Sequence, residues 1–147
     1  MLPAHLYASR EYLQKHGEPQ HPSDLTRHEC IEFRAKGAGQ VTRWPLTDGR
    51  QHIEFTPGNR FSVNGVAMAR RLATLGAGIV VLVGGQPAEL QAGQLQRVLP
   101  GWQLGPFPVY AVTETRLLPA KTRIFIEFLM ERLGDIGQAK DTPAFMK

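Results

Sequence analysis

Three histidines, His16, His21 and His28, fall close together and Cys30 follows two residues after the last. Imidazole and thiolate side chains are the usual zinc ligands, but their spacing here matches no standard zinc pattern, and no cysteine pair or placed carboxylate completes a set. They read as surface or loop histidines, and no metal or cofactor is expected. Cys30 and His28 would point the same way from a strand, as a nucleophile and its base must. No oxyanion hole or orienting group accompanies them, so Cys30 reads as a buried structural thiol. Gly76-Ala77-Gly78 and Gly84-Gly85 suggest a dinucleotide loop. That loop needs its glycines after a strand and at the start of a helix, whereas the first pair precedes an apolar run. It reads as a tight helix-to-strand turn. Nothing nominates a catalytic residue, and the chain is not expected to be an enzyme.

One locus has more promise. Ser62-Val63-Asn64-Gly65 precedes a helical pattern, with Gly84-Gly85-Gln86 as its neighbour and Phe33-Arg34 beside it. In open α/β sheets ligands gather outside the carboxyl ends of strands, often at helix starts. Backbone N–H groups there favour an anion such as a carboxylate. Asn64 either only caps its helix or caps it and touches a ligand as well.

These residues depend on the elements that hold them. Leu6-Tyr7-Ala8 closes an extended segment, Ser9 caps a helix over Arg10–His16, and Gly17 stops it. Ser23-Asp24-Leu25 suits a short helical turn, and Cys30–Phe33 a buried strand. Lys36 to Gly39 reads as a turn. Thr42–Leu46 and His52–Thr56 form a hairpin through Asp48-Gly49, and Pro45 favours an edge position for the first of them. Arg60–Val63 is a third extended run. Val66, Ala69, Leu72 and Ala73 share a helical face that ends at Leu75-Gly76. The β-branched run Ile79–Val83 predicts a strand buried on both faces. Pro87 opens a helix that ends before Gly93, and Leu95–Leu99 is extended. Pro100-Gly101-Trp102 turns, Pro108–Thr113 forms a last strand, and Pro119 begins a helix closing at Leu133. Residues 134–147 read as a loose tail. Strands alternating with helices predict an α/β fold with a parallel-rich sheet.

The 147 residues are 42% hydrophobic and 20% charged, an ordinary globular composition for one domain or one lobe. The net charge of +4 is scattered and forms no basic arm. No helix-turn-helix or basic recognition helix is visible, so no direct DNA contact is expected. A single cysteine gives no support for an oxidising compartment. The start lacks the features of a signal peptide. The longest apolar run falls far short of the roughly 20 residues a membrane helix needs. A cytoplasmic protein without membrane contact is expected.

The ordered series from Leu6-Tyr7-Ala8-Ser9-Arg10 through Pro22-Ser23-Asp24-Leu25, His28-Glu29-Cys30-Ile31 and Trp44-Pro45-Leu46 resembles the effector-binding domain of LysR-type transcriptional regulators. It continues through Val63-Asn64-Gly65, Leu75-Gly76-Ala77-Gly78-Ile79 and Leu90-Gln91-Ala92-Gly93-Gln94-Leu95. Val98-Leu99-Pro100-Gly101-Trp102, Pro108-Val109-Tyr110-Ala111-Val112 and the final helix complete it. Together these pieces cover about residue 6 to about residue 133. The resemblance implies a type II periplasmic-binding-protein-like fold, with two α/β lobes joined by crossover strands and a small organic effector, frequently anionic, between them. It makes Phe33, Ser62, Val63, Asn64, Gly84 and Thr113 the candidate effector contacts. Relatives carry a winged helix-turn-helix and form dimers and often tetramers.

The resemblance also implies an incomplete unit. Residues 1–107 correspond to the second lobe, and 108–133 to a crossover strand and a helix returning to the first lobe. The DNA-binding domain, the linker helix and most of the first lobe have no counterpart. Val83-Gly84-Gly85 stands where relatives often have leucine-proline. With half the cleft lacking, weak or absent effector binding is expected. Ile124, Phe125, Phe128 and Leu129 lose the surface that would bury them. They are expected to self-associate, or to pack onto their own lobe in a manner foreign to the family. An alternative expectation is a stand-alone interaction module that heterodimerises with intact regulators and modulates them.

Overall fold

A computed structural model describes residues 2–138 apart from 35–41, 59, 85–86, 109, 111 and 114–116. The expected turn at Lys36–Gly39 and the end of the tail, 139–147, therefore lie outside the described residues. Eight strands form one sheet: β1 (Leu2–Ala8), β2 (Cys30–Phe33), β3 (Trp44–Thr47), β4 (His52–Phe55), β5 (Phe61–Val63), β6 (Ile79–Val83), β7 (Gln96–Val98) and β8 (Gln103–Phe107). The helices are α1 (Arg10–His16), α2 (Val66–Thr74), α3 (Ala88–Gln91) and α4 (Ala120–Gln138), with a 3-10 turn over Pro22–Arg27. The sheet order is β4-β3-β8-β1-β6-β2-β5, and β7 also pairs with β1.

The fold is α/β as expected, but the sheet is mixed. Among the described residues parallel pairing is confined to β5–β2–β6. The long strand β1 runs antiparallel to β6, β7 and β8. A pattern of alternating strands and helices cannot reveal this, because the direction of β1 is set by partners distant in sequence.

Side-chain alternation along these strands builds two cores, one on each face of the sheet. Ala4, Leu6 and Ala8 of β1, Cys30 of β2 and Ile79 of β6 join Tyr12, Leu13 and Leu25, so α1 and the 3-10 turn cover that face. Tyr7, Ile31, Val80 and Leu82 join Ala69 and Ala73 of α2 on the other. The run Ile79–Val83 thus feeds both cores, as a strand covered on both sides must. Ser9 caps α1 by accepting from the Tyr12 N–H at 3.1 Å. Gly17 takes φ 83°, where glycine has no steric cost.

Several elements differ from the sequence expectation. Asn64 is exposed and does not cap α2; Gly65 holds that position with extended backbone and no side-chain bond. Pro45 does not sit on an edge strand, because β3 lies between β4 and β8. Its pairing with β8 uses only Leu46 and Thr47, so the ladder starts just after the proline. The last strand is Gln103–Phe107; Pro108, Tyr110, Val112 and Thr113 are not in a strand, while Val109 and Ala111 lie outside the described residues. Pairing with β1 and β3 makes Gln103–Phe107 extended despite its glycine and proline. Residues 134–138, expected to begin a loose tail, continue α4. Gly134 and Gly137 each weaken a helix by about 1 kcal/mol but do not stop it.

Candidate functional site

The carboxyl ends of β2 and β6 leave a cavity of about 290 Å³. Ile31 and Phe33 line it from β2, and Val81 and Val83 from β6. Val66 and Ala69 on the first turns of α2 close one side. Thr42, Arg43 and Trp44 arrive from the start of β3, and Leu104 and Phe107 from β8. Buried Trp44 tilts against Phe55 with ring centroids 5.7 Å apart. Phe33, Val66, Val83 and Phe107 stay exposed at the rim, an arrangement suited to an apolar guest.

Glu32 stands beside this cavity and is almost wholly buried. Its carboxylate accepts from the Thr42 N–H at 3.3 Å and lies 3.0 Å from Arg34 Nε. Burial pushes the carboxyl up, but the Thr42 and Arg34 donors outweigh it and hold the group below the ordinary carboxylate range. Glu32 therefore remains ionised next to an apolar space. At the rim, Arg43 pairs with Glu54 at 3.2 Å.

Of the expected effector contacts, the structure puts Phe33 in the cavity wall. Val63 and Gly84 lie close in the chain to wall residues, but their backbone groups are engaged elsewhere. Val63 O accepts from Arg34 N at 2.7 Å, and Gly84 N donates to Pro3 O at 2.8 Å. Ser62 and Asn64 are exposed, and Thr113 is exposed outside any strand. Sequence reasoning missed Val66 and Val83, although Val83 adjoins Gly84 and Val66 lies two residues after Asn64. No sequence signal marked Trp44, Leu104 and Phe107, whose place depends on β8 pairing with both β1 and β3.

The histidines do structural work. His21 caps the 3-10 turn, and His16 stacks on Tyr12 with centroids 4.3 Å apart. Glu29 N donates to the Tyr12 hydroxyl at 2.9 Å, leaving that hydroxyl to donate to His28 Nδ1 at 3.1 Å. Burial, then His16 and Arg27, push His28 below its ordinary value. Burial pushes the Cys30 thiol up to about 12, which keeps it protonated and inert.

Two of these shifts give the stability a pH dependence. A base held below its ordinary value favours the neutral form in the folded state, so protonation of His28 destabilises as pH falls below 6.5. A carboxyl held down contributes stability above its unfolded value and loses it on acidification, so Glu32 adds a second decline below pH 4.5. Melting temperature followed from pH 8 to pH 3.5 is expected to fall in these two stages, and H28Q should flatten the upper one. A wild-type melting temperature unchanged between pH 7.5 and pH 5 would contradict the His28 assignment.

With fold and cavity in place, comparison with known proteins is decisive. The LysR substrate binding domain family matches residues 2–134. The chain belongs to that family. It is 32% identical over 138 residues to an HTH-type transcriptional regulator of Xanthomonas campestris, covering 90% of this chain and 40% of that protein. It is 30% identical over 139 residues to the HTH-type transcriptional activator AaeR of Escherichia coli, covering 93% and 44%. The chain thus spans less than half the length of these relatives. The regulatory domain of AphB from Vibrio vulnificus superposes with a TM-score of 0.64 at 23% identity, covering 89% of this chain and 65% of that one. The LysR regulatory-domain fold, periplasmic-binding-protein-like of type II, is therefore the fold of this chain.

Proposed function

We propose that this LysR substrate-binding chain is an effector-recognising module of a transcriptional regulator, and that the cavity at the ends of β2 and β6 is its share of the effector site. The observation that supports this most is the cavity itself. An apolar space stands where ligands gather in open α/β sheets, in a chain of a family built for small molecules. The module is a binder, not a catalyst, and leaves DNA contact to other parts of the regulator. It acts in the cytoplasm; among the described residues no helix is long and apolar enough to cross a membrane. Residues 1–107 are read as one lobe and 108–133 as the segment that would meet a second, although here α4 rests on β1.

A thermal-shift panel of small organic molecules tests the reading. A binder present at about ten times its Kd should stabilise the chain by about 1.4 kcal/mol, a few degrees at this size. The V66W substitution, which fills the cavity mouth from a half-exposed position, should erase the shift. Binders that stabilise V66W equally would place the site elsewhere.

The same reading assigns α4 a contact role. α4 packs against β1, with Thr122, Ile126 and Leu133 half-buried. Ile124, Phe125, Phe128 and Leu129 remain exposed by 63, 59, 49 and 37%. Burying such side chains is worth roughly 1.5–3 kcal/mol each, and aromatic anchors dominate contacts of this kind. The isolated chain is expected to self-associate through this face. By light scattering, F125E together with F128E should weaken the dimer by about tenfold or more. A wild-type chain that stays monomeric at high concentration would contradict the assignment.

A further inference from the structure

The charges around the cavity point to the kind of guest it takes, granted the reading of that cavity as the effector site. At about 290 Å³ it lies at the low end of the roughly 300–1,000 Å³ typical of ligand pockets, which suits one or two rings. Among the described residues Thr42 and Arg43 are the charged or hydroxyl-bearing groups of its wall, and each already faces a carboxylate. The Thr42 N–H is given to Glu32, and Arg43 pairs with Glu54. Arg34, next to Phe33 at the end of β2, is held by Glu32. Among the described residues the two arginines at this locus, Arg34 and Arg43, are each paired with a carboxylate, and ionised Glu32 sets a negative charge beside Thr42. An entering anion would meet an Arg43 whose charge Glu54 already offsets and approach Glu32 across a partly dehydrated space, where like charges repel strongly. The start of α2 offers only the partial positive charge of its N–H groups. That is enough for a carbonyl or hydroxyl oxygen.

We propose that the cavity selects an uncharged, largely apolar molecule of one or two rings over the corresponding carboxylate. This departs from the anion that the helix start alone suggests. NMR titrations of the isotope-labelled chain with matched pairs test it: toluene and benzoate, indole and indole-3-carboxylate, naphthalene and 1-naphthoate, followed at Val66, Ala69 and Val83. The neutral member of at least one pair should bind about tenfold tighter or better. E54Q, which frees Arg43 from outside the cavity, should narrow that preference several-fold. Tighter binding of the carboxylates to the wild type overturns the proposal, and so does a neutral preference that E54Q leaves unchanged. If no pair moves these three residues, the cavity is not a ligand site, and the functional reading falls together with the selectivity.

Discussion

Replacing Gly78 by alanine or valine is expected to cost about 3 kcal/mol or more, enough to deplete the folded protein. Gly78 takes φ 154°, and a Cβ built on it would lie on top of the Glu29 carbonyl oxygen and 2.9 Å from the Glu29 carbonyl carbon. That carbonyl is not free to retreat, since it accepts from Ile79 N at 2.8 Å. The next residues, Cys30 and Ile79, form the first pair of the parallel β2–β6 ladder. A side chain at Gly78 would therefore force apart the two strands whose far ends carry Phe33 and Val83. G101A is the control, because nothing lies within 4 Å of a Cβ there and its φ is ordinary. Chemical denaturation should show G78A far below the wild type and G101A close to it. Similar midpoints for the two variants would contradict the close approach of the strands.

The second large effect concerns Trp44. Its side chain is 3% exposed, packs in the α1-side core and forms part of the cavity wall. Truncation to alanine removes one of the largest buried surfaces in the molecule and merges the void with an existing cavity. The expected loss is about 3–5 kcal/mol, or about 10 °C in melting temperature for a chain of this length. W44F keeps an aromatic against Phe55 and should lose about half as much or less. The two variants also separate stability from recognition. W44F should stay folded while binding apolar molecules more weakly, because one wall of the site is smaller. A W44A protein that melts like the wild type would mean that Trp44 does not pack as described.

How much of this was readable from the residues depends on how local the cause is. The Ser9 cap, the Gly17 stop, the Asp48-Gly49 hairpin and the run Ile79–Val83 are decided by neighbours, and they were legible. The sheet direction was not. β1 receives β6 on one side and β7 with β8 on the other, and nothing in Leu2–Ala8 itself names those partners. The stretch Gln103–Phe107 contains a glycine and a proline and reads as loop, yet pairing makes it a strand. Pro108–Thr113 has β-branched residues and reads as strand, yet its described residues lack a ladder. Site legibility follows the same division. Phe33 and the neighbourhood of α2 and β6 follow from the rule that ligands gather at strand ends. Arg43, Trp44, Leu104 and Phe107 come from segments brought there only by tertiary pairing. The ion pairs of Glu32 with Arg34 and of Arg43 with Glu54 were equally invisible, and they are what argues for an uncharged guest.

A ligand that enters the space between β2, β6 and α2 should reveal itself most directly in an amide chemical-shift map recorded with any stabilising small molecule. The expected result is a set of shifts concentrated on Phe33, Val66, Ala69, Val83 and Leu104, saturating together, with α4 and the His16–His28 side unmoved. Shifts centred instead on Ile124, Phe125, Phe128 and Leu129, or around Tyr12 and His28, with the cavity residues silent, would contradict it.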